Sequence, residues 1–308
     1  TTTSSTAAEP SATADDGIDD GDDPARITGT GAEDGGSPTT VSTPDVVAGP
    51  TTTGGGDHGT TTHLDRRLQT VYHENFAAGD VDPIDWLVYH GQGHEGWGWR
   101  RRSAVAVVAD DDAAGGHVLE LTAEMGSGAD AGSVVSGGLK LRDRSLTYGR
   151  VSFRARVDPD PDQATAGVVH LWPADDNWPE NGEINILSTR DNRDTRTPVR
   201  SDLHWLDEEG YGQVGVDHGT SAGPTSATGW HVYTLYWTPT VVSVAVDGGD
   251  PVVISTNAVH IPDGPLDLAI QLDASDRPDL PGIQPQLSGR VRMQVDWIRI
   301  ERFVDQDS

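Results

Sequence analysis

The sequence predicts an all-β protein, one antiparallel β-sandwich preceded by a disordered tail. Three observations carry that reading. Short alternating or continuous apolar runs recur from residue 67 onward, separated by Gly, Asp and Pro. No convincing amphipathic helical pattern interrupts them. Composition also changes sharply near Arg66, and the first aromatic residue of the chain is Tyr72.

The tail comes first. Residues 1–66 are mostly Thr, Ser, Gly, Asp, Ala and Pro, and they include Asp15, Asp16, Asp19, Asp20, Asp22 and Asp23. Such a segment buries too little apolar surface to offset its ordering entropy, so it reads as a stalk or linker. The clusters Thr1–Thr3, Thr51–Thr53 and Thr60–Thr62 suit O-glycosylation, with unmodified linker as the plainer alternative. Ile27–Thr30 and Val41–Val47 are its only candidate strands. The chain opens on Thr1 rather than Met, which points to a removed leader.

The body is expected over residues 67–304, with 305–308 as its C-terminal end. Predicted strands include Ala104–Val108, His117–Thr122, Arg150–Val157, Gly167–Trp172, His231–Trp237, Val241–Val246, Leu266–Leu272 and Arg290–Ile300. In one of them Val151, Phe153, Ala155 and Val157 alternate with Ser152, Arg154 and Arg156, so one face meets a core and the other meets water. Asp247-Gly248-Gly249 and Pro262-Asp263-Gly264 supply turns between strands. A sandwich of this length runs as a single domain.

Charge narrows the function. The 308 residues carry a formal net charge of -28, and Lys140 is the only lysine. Phosphate would be repelled, which excludes a generic nucleic-acid binder. Heavy Asp and Glu use is tolerated where concentrated salt cuts the Debye length to about 3 Å. The chain therefore reads as salt-adapted, from a halophilic organism, with an ordinary acidic secreted protein as the alternative. There is no cysteine, so the core holds without disulfides. No run approaches a transmembrane span of about 18 apolar residues. His58, His63 and His73 form no metal set at any convincing spacing.

The most informative stretch is His170-Leu-Trp-Pro173, followed by Asn177-Trp-Pro-Glu-Asn-Gly-Glu-Ile-Asn-Ile-Leu-Ser188. It resembles the laminarinase and lichenase group of glycoside hydrolase family sixteen, whose signature is W-P-x-x-G-E-I-D-I-x-E. Ser136-Gly-Gly-Leu139, Tyr148–Arg156, Leu203-His-Trp205, Trp230–Pro239, Ile261–Leu266 and Met293–Ile298 agree with that family in order. The resemblance covers roughly residues 70–303 and implies a concanavalin A-like jelly roll with the signature on a concave strand.

Strand alternation sends residues 183 and 185 to one face, and a bulge after 185 re-aims 188 onto it. The resemblance makes Glu183 the nucleophile. Asn185 stands where the family has the Asp that tunes it, and Ser188 stands where the family has the Glu acid/base. The catalytic motif is therefore degenerate. A serine hydroxyl cannot protonate a glycosidic oxygen near neutral pH. Glu180, Asp191 and Asp194 are near in sequence, but they lie outside the strand.

Sugar rings take flat aromatics and polar groups. The resemblance places Trp172 at the central subsite, Trp178 at the cleft edge, His204 and Trp205 on a neighbouring concave strand, and Gln271 on another. Trp205 and His204 also suit the core. Trp97, Trp99 and Arg101 follow a Gly-rich run and read as a cleft rim, although Arg100–Arg102 could equally pair with surrounding carboxylates. The family often carries one structural calcium on the convex side, held by a carboxylate near the last strand and by backbone oxygens of early loops. Asp296 occupies the matching position, and an ordinary surface Asp is the alternative.

These features point to an extracellular or cell-surface polysaccharide-binding domain with hydrolysis lost or much reduced. An active endo-β-glycosidase with a substituted acid/base is the alternative. A polysaccharide lyase using His204 or Tyr211 with Arg200, and a structural subunit of a surface filament, are further ones. The sugar and the oligomeric state are not legible.

Overall fold

The computed structural model describes residues 67–221, 223–275 and 282–304. The tail over 1–66 with its two candidate strands, His58, His63 and the end at 305–308 lie outside the described residues. Within them the chain folds into two large sheets with no α-helix. The expected all-β sandwich is what forms.

The smaller sheet has seven strands in the order Gly210–Asp217, Arg200–Asp207, Glu183–Ser188, Thr165–Pro173, Leu266–Ala274, Gly138–Leu141 and Trp86–Val88. Every pairing in it is antiparallel. The larger sheet centres on His231–Thr238, Gly149–Val157, Val291–Phe303 and His117–Met125. One short parallel pairing, Trp99–Arg100 with Val134–Ser136, departs from the purely antiparallel expectation.

A single apolar core lies between the sheets. Val151, Phe153, Ala155 and Val157 reach it from the larger sheet, and Leu266, Leu268, Ile270, Leu272 and Ala274 reach it from the smaller. The intervening Arg150, Arg154 and Arg156 lie on the outer, convex face. Asp267, Gln271 and Asp273 alternate onto the opposite face of the smaller sheet. Trp237 is fully buried there and donates its Nε1–H to the Pro262 carbonyl at 3.1 Å.

The Arg200–Asp207 and Gly210–Asp217 hairpin had no clear apolar pattern in sequence. Glycines and acidic residues dilute its alternation, and it is fixed instead by register with Glu183–Ser188.

Candidate functional site

Glu183–Ser188 is a central strand of the smaller sheet. Ile184, Ile186 and Leu187 face the core, whereas Glu183, Asn185 and Ser188 share the other face. The bulge that makes this possible is visible in the pairing. His170 stands opposite Asn185 and Val169 opposite Leu187, which leaves Ile186 without its own partner. The expected projection of 183, 185 and 188 together therefore holds. They are 9%, 4% and 3% exposed, so the three side chains form a floor rather than a rim.

The residue before Glu183 fixes the entry to this strand. Gly182 has φ +73°, and a Cβ there would lie 2.7 Å from Pro262 Cγ and 3.0 Å from the His204 carbonyl. Only glycine fits that turn without strain.

Glu183 is not free. His170, on the neighbouring strand Thr165–Pro173, donates from Nδ1 to Glu183 Oε1 at 2.9 Å. Burial alone would push the Glu183 carboxyl up, but the His170 hydrogen bond and charge, with His204 and Arg190, outweigh it and hold it at about 2. With Nδ1 donating, the far ring nitrogen of His170, Nε2, is left buried without a partner.

Asn185 extends the network on the other side. Its Nδ2 donates to His204 Nε2 at 3.1 Å, so His204 Nδ1–H is the donor to Tyr211 Oη. Asn185 Oδ1 is buried and unpartnered.

Aromatic rings wall this floor. Trp172 and Trp178 stack with centroids 5.9 Å apart and planes 13° apart. Trp178 also meets Tyr211 at 5.6 Å and His204 at 6.5 Å. The Trp178 Nε1 has no partner either. Unpartnered polar atoms occur elsewhere too, as at Trp230 and Tyr233, and here three sit on neighbouring elements of one site.

Other carboxylates share the face: Asp267 accepts from Ser145 Oγ at 2.6 Å and lies 3.8 Å from Lys140 Nζ, and Asp202 and Asp273 are held by arginine. Asp202, opposite Asn185 in register, accepts from Arg200 Nε at 2.8 Å and Gln213 Nε2 at 3.3 Å. Burial pushes its carboxyl up, and Arg200 opposes that shift. Asp273 accepts from Arg100 at 2.8 Å and Arg190 at 3.1 Å. Burial would raise its carboxyl, but the two guanidiniums hold it at about 2. Beside them His94 is lowered to about 4, first by burial and then by the positive field of Arg190. The exposed Asp191 pairs with Arg200 at 3.4 Å.

Several expected positions need correction. Trp205 cannot share a face with His204, its sequence neighbour on one strand. It packs toward the core, stacks on His260 at 3.9 Å and donates to Asp207 at 3.0 Å. Arg101 is not a groove residue. Asp130 binds its Nε at 2.9 Å and its Nη2 at 2.5 Å, and its guanidinium covers the Trp99 ring. Trp97 packs against the core. The Gly-rich segment reaches the groove through Arg100 instead, which bonds Gln271 Oε1 at 3.2 Å and Asp273. Gln271 is thus placed on the groove face as expected. Asp296 lies on the convex face, where its two carboxylate oxygens bond Arg154 and the Ala114 N–H. A calcium does not fit that arrangement.

Reasoning from sequence missed His170, Asp202 and Asp273. The last two were recoverable, because each lies two residues from a groove residue on its own strand. His170, two residues from Trp172, was recoverable in the same way, but its contact with Glu183 depends on which strands pair.

Comparison with known structures follows the same outline. The laminarinase catalytic domain of Thermotoga petrophila superposes with a TM-score of 0.62 at 20% identity, over 78% of this chain and 100% of that one. The laminarinase of Rhodothermus marinus gives 0.59 at 23%, over 78% and 99%. The fold is the laminarinase-like jelly roll of glycoside hydrolase family sixteen. A Glu-to-Ser variant of the Zobellia galactanivorans enzyme, in complex with laminaritriose and laminaritetraose, shares this jelly roll at 0.59 and 20%, over 76% and 98%. In sequence, a β-glucanase of Rhodothermus marinus is 29% identical over 196 residues, 58% of this chain. The match spans 63% of that β-glucanase. No family model matches the chain. Glu183, Asn185 and Ser188 lie on the face of the seven-stranded sheet turned away from the core.

Proposed function

We propose that this chain is an extracellular polysaccharide-binding protein of family-sixteen descent whose hydrolytic step is lost or much reduced. One observation carries the reading. Of the three inward-facing positions on the Glu183–Ser188 strand only Glu183 is an acid, and the one that would donate a proton is Ser188. Retaining hydrolysis uses two carboxyl groups about 5–5.5 Å apart, one to attack and one to protonate the leaving oxygen. Glu183 stays ionised and suits the first role. Asp273 is tied to two guanidiniums, which favours its carboxylate form and makes it a poor acid, and Asp202, although burial raises its carboxyl, has Oδ1 occupied by Arg200 and Gln213.

Binding needs less. Trp172 and Trp178 offer apolar faces to a sugar ring. Asn185 Oδ1 accepts, Trp178 Nε1–H donates, and a glycan hydroxyl does both, so the unpartnered atoms gain bonds when a sugar arrives. Solved relatives in complex with laminari-oligosaccharides and with a mixed-linkage glucan product support a glucan as ligand. The acidic surface supports use in concentrated salt.

A second reading rests on His170. Its Nε2 is the ring atom farthest from the backbone and has no partner. Protonated, it could give a proton to a glycosidic oxygen while Glu183 attacks the anomeric carbon. Water would then release the glycosyl group and return the proton to Nε2.

The test is a pull-down and reducing-end assay on laminarin and mixed-linkage glucan in concentrated salt. Retention without new reducing ends is the expected result. Reducing ends that vanish in both Glu183→Gln and His170→Phe would favour the second reading. No retention on any glycan would sink both.

A further inference from the structure

Family-sixteen relatives are expected to hold calcium between a carboxylate of the last strand and backbone oxygens of an early loop. Both parts exist here. Asp296 sits on Val291–Phe303 at a bulge between Val295 and Trp297, which turns it outward. The loop joins Val105–Ala109 to His117–Met125. Between them stands a side chain.

Arg154 alternates onto the convex face of Gly149–Val157, opposite Trp297 in register. Its Nη1 donates to Asp296 Oδ2 at 2.6 Å and to the Asp112 carbonyl at 3.0 Å. Asp296 Oδ1 accepts the Ala114 N–H at 2.8 Å. One guanidinium nitrogen thus touches the two oxygen types a calcium would take. The site is finished around it: the Trp230 ring lies 4.5 Å from the Arg154 guanidinium and 4.5 Å from that of Arg156. Arg156 bonds Asp110 of the same loop at 3.2 Å and Gln294 at 2.7 Å. Among the described residues no group of three His, Cys, Asp or Glu is placed to hold a metal.

We propose that Arg154 is the built-in cation of this convex face, bridging Asp296 to the loop in place of calcium and freeing the fold from divalent metal. Calcium needs six to eight oxygens at about 2.3–2.6 Å, and here a fixed positive charge already holds the carboxylate. A guanidinium keeps its charge at every working pH, donates to carboxylate and carbonyl at once, and stacks on an indole. Asp296 is 1% exposed and Arg154 24%, so the pair is shielded enough to matter.

The experiment compares thermal unfolding of the full chain in concentrated sodium chloride with a chelator and with added calcium. The wild-type midpoint should not move between the two. Arg154→Met should lower it by about 5–10 °C, as loss of one partner of a buried pair does in a domain this large. Arg154→Lys keeps the charge, remains folded and should fall between. A wild-type midpoint that rises several degrees with calcium, and no longer does so in Asp296→Asn, would overturn the proposal. So would an Arg154→Met protein as stable as wild type.

Discussion

The two outer faces of this sandwich treat charge differently. On the convex face three long cations meet their own acids across strands: Arg150 with Glu301, Arg154 with Asp296, Arg292 with Asp158. On the groove face the arginines also find acids, but the centre is left open, with His170 Nε2, Asn185 Oδ1 and Trp178 Nε1 unpartnered. Leaving buried polar atoms unpaired costs roughly 1–3 kcal/mol each. The convex face pairs most of its charge by itself, with Trp230 Nε1 left unpartnered there. The groove is built to be completed by something else.

The sharpest way to break that contrast is to restore the missing acid. Ser188→Glu with Asn185→Asp should raise reducing-end release on a β-glucan by about 10²–10⁴-fold over wild type, the usual worth of a general acid. A folded double variant with no gain would show that the groove no longer binds glucan productively.

Next comes binding. Trp178→Ala should weaken glycan retention about tenfold, the loss of one aromatic anchor worth roughly 1.4 kcal/mol. Trp205→Ala should lower stability and leave retention unchanged, because that ring stacks on His260 away from the floor. Equal losses from both would erase the distinction between the two faces of Arg200–Asp207.

A further contrast is the response to acid. His94 titrates at about 4 in the fold, against about 6.5 unfolded. The unfolded chain therefore binds more protons between those values, and stability falls as pH drops from 6.5 to 4. Glu183 and Asp273 titrate at about 2, against about 4 unfolded, so their contribution is present above pH 4 and lost as pH falls through 2. His170→Asn should move the Glu183 part of that loss to higher pH. Urea midpoints at pH 7, 5 and 3 would test it, and a midpoint that rose on acidification would contradict the site's electrostatics.

Much of this was legible in the sequence, for a physical reason. Period-two alternation marks strands such as Arg150–Val157 and Leu266–Leu272, because the core rewards every second residue. The G-E-I-N-I-L-S run marked its own bulge. Trp205 and Arg101 were misplaced because a motif gives neighbours in sequence, whereas a strand sends neighbours to opposite sides. Asp296 was placed on the outer face, and its bond to Arg154 was not legible, since spacing cannot show which side chain will meet it. The contact of His170 with Glu183 became visible only once the pairing of two strands was known.

The extra residue at Ile186 has a consequence beyond this chain's present chemistry. Aim at position 188 is set by backbone, not by the side chain that happens to stand there. Whatever residue occupies it inherits the same line of sight. An activity that resides in two interchangeable side chains on an intact scaffold can be switched by substitution alone, with no rebuilding of the sheet.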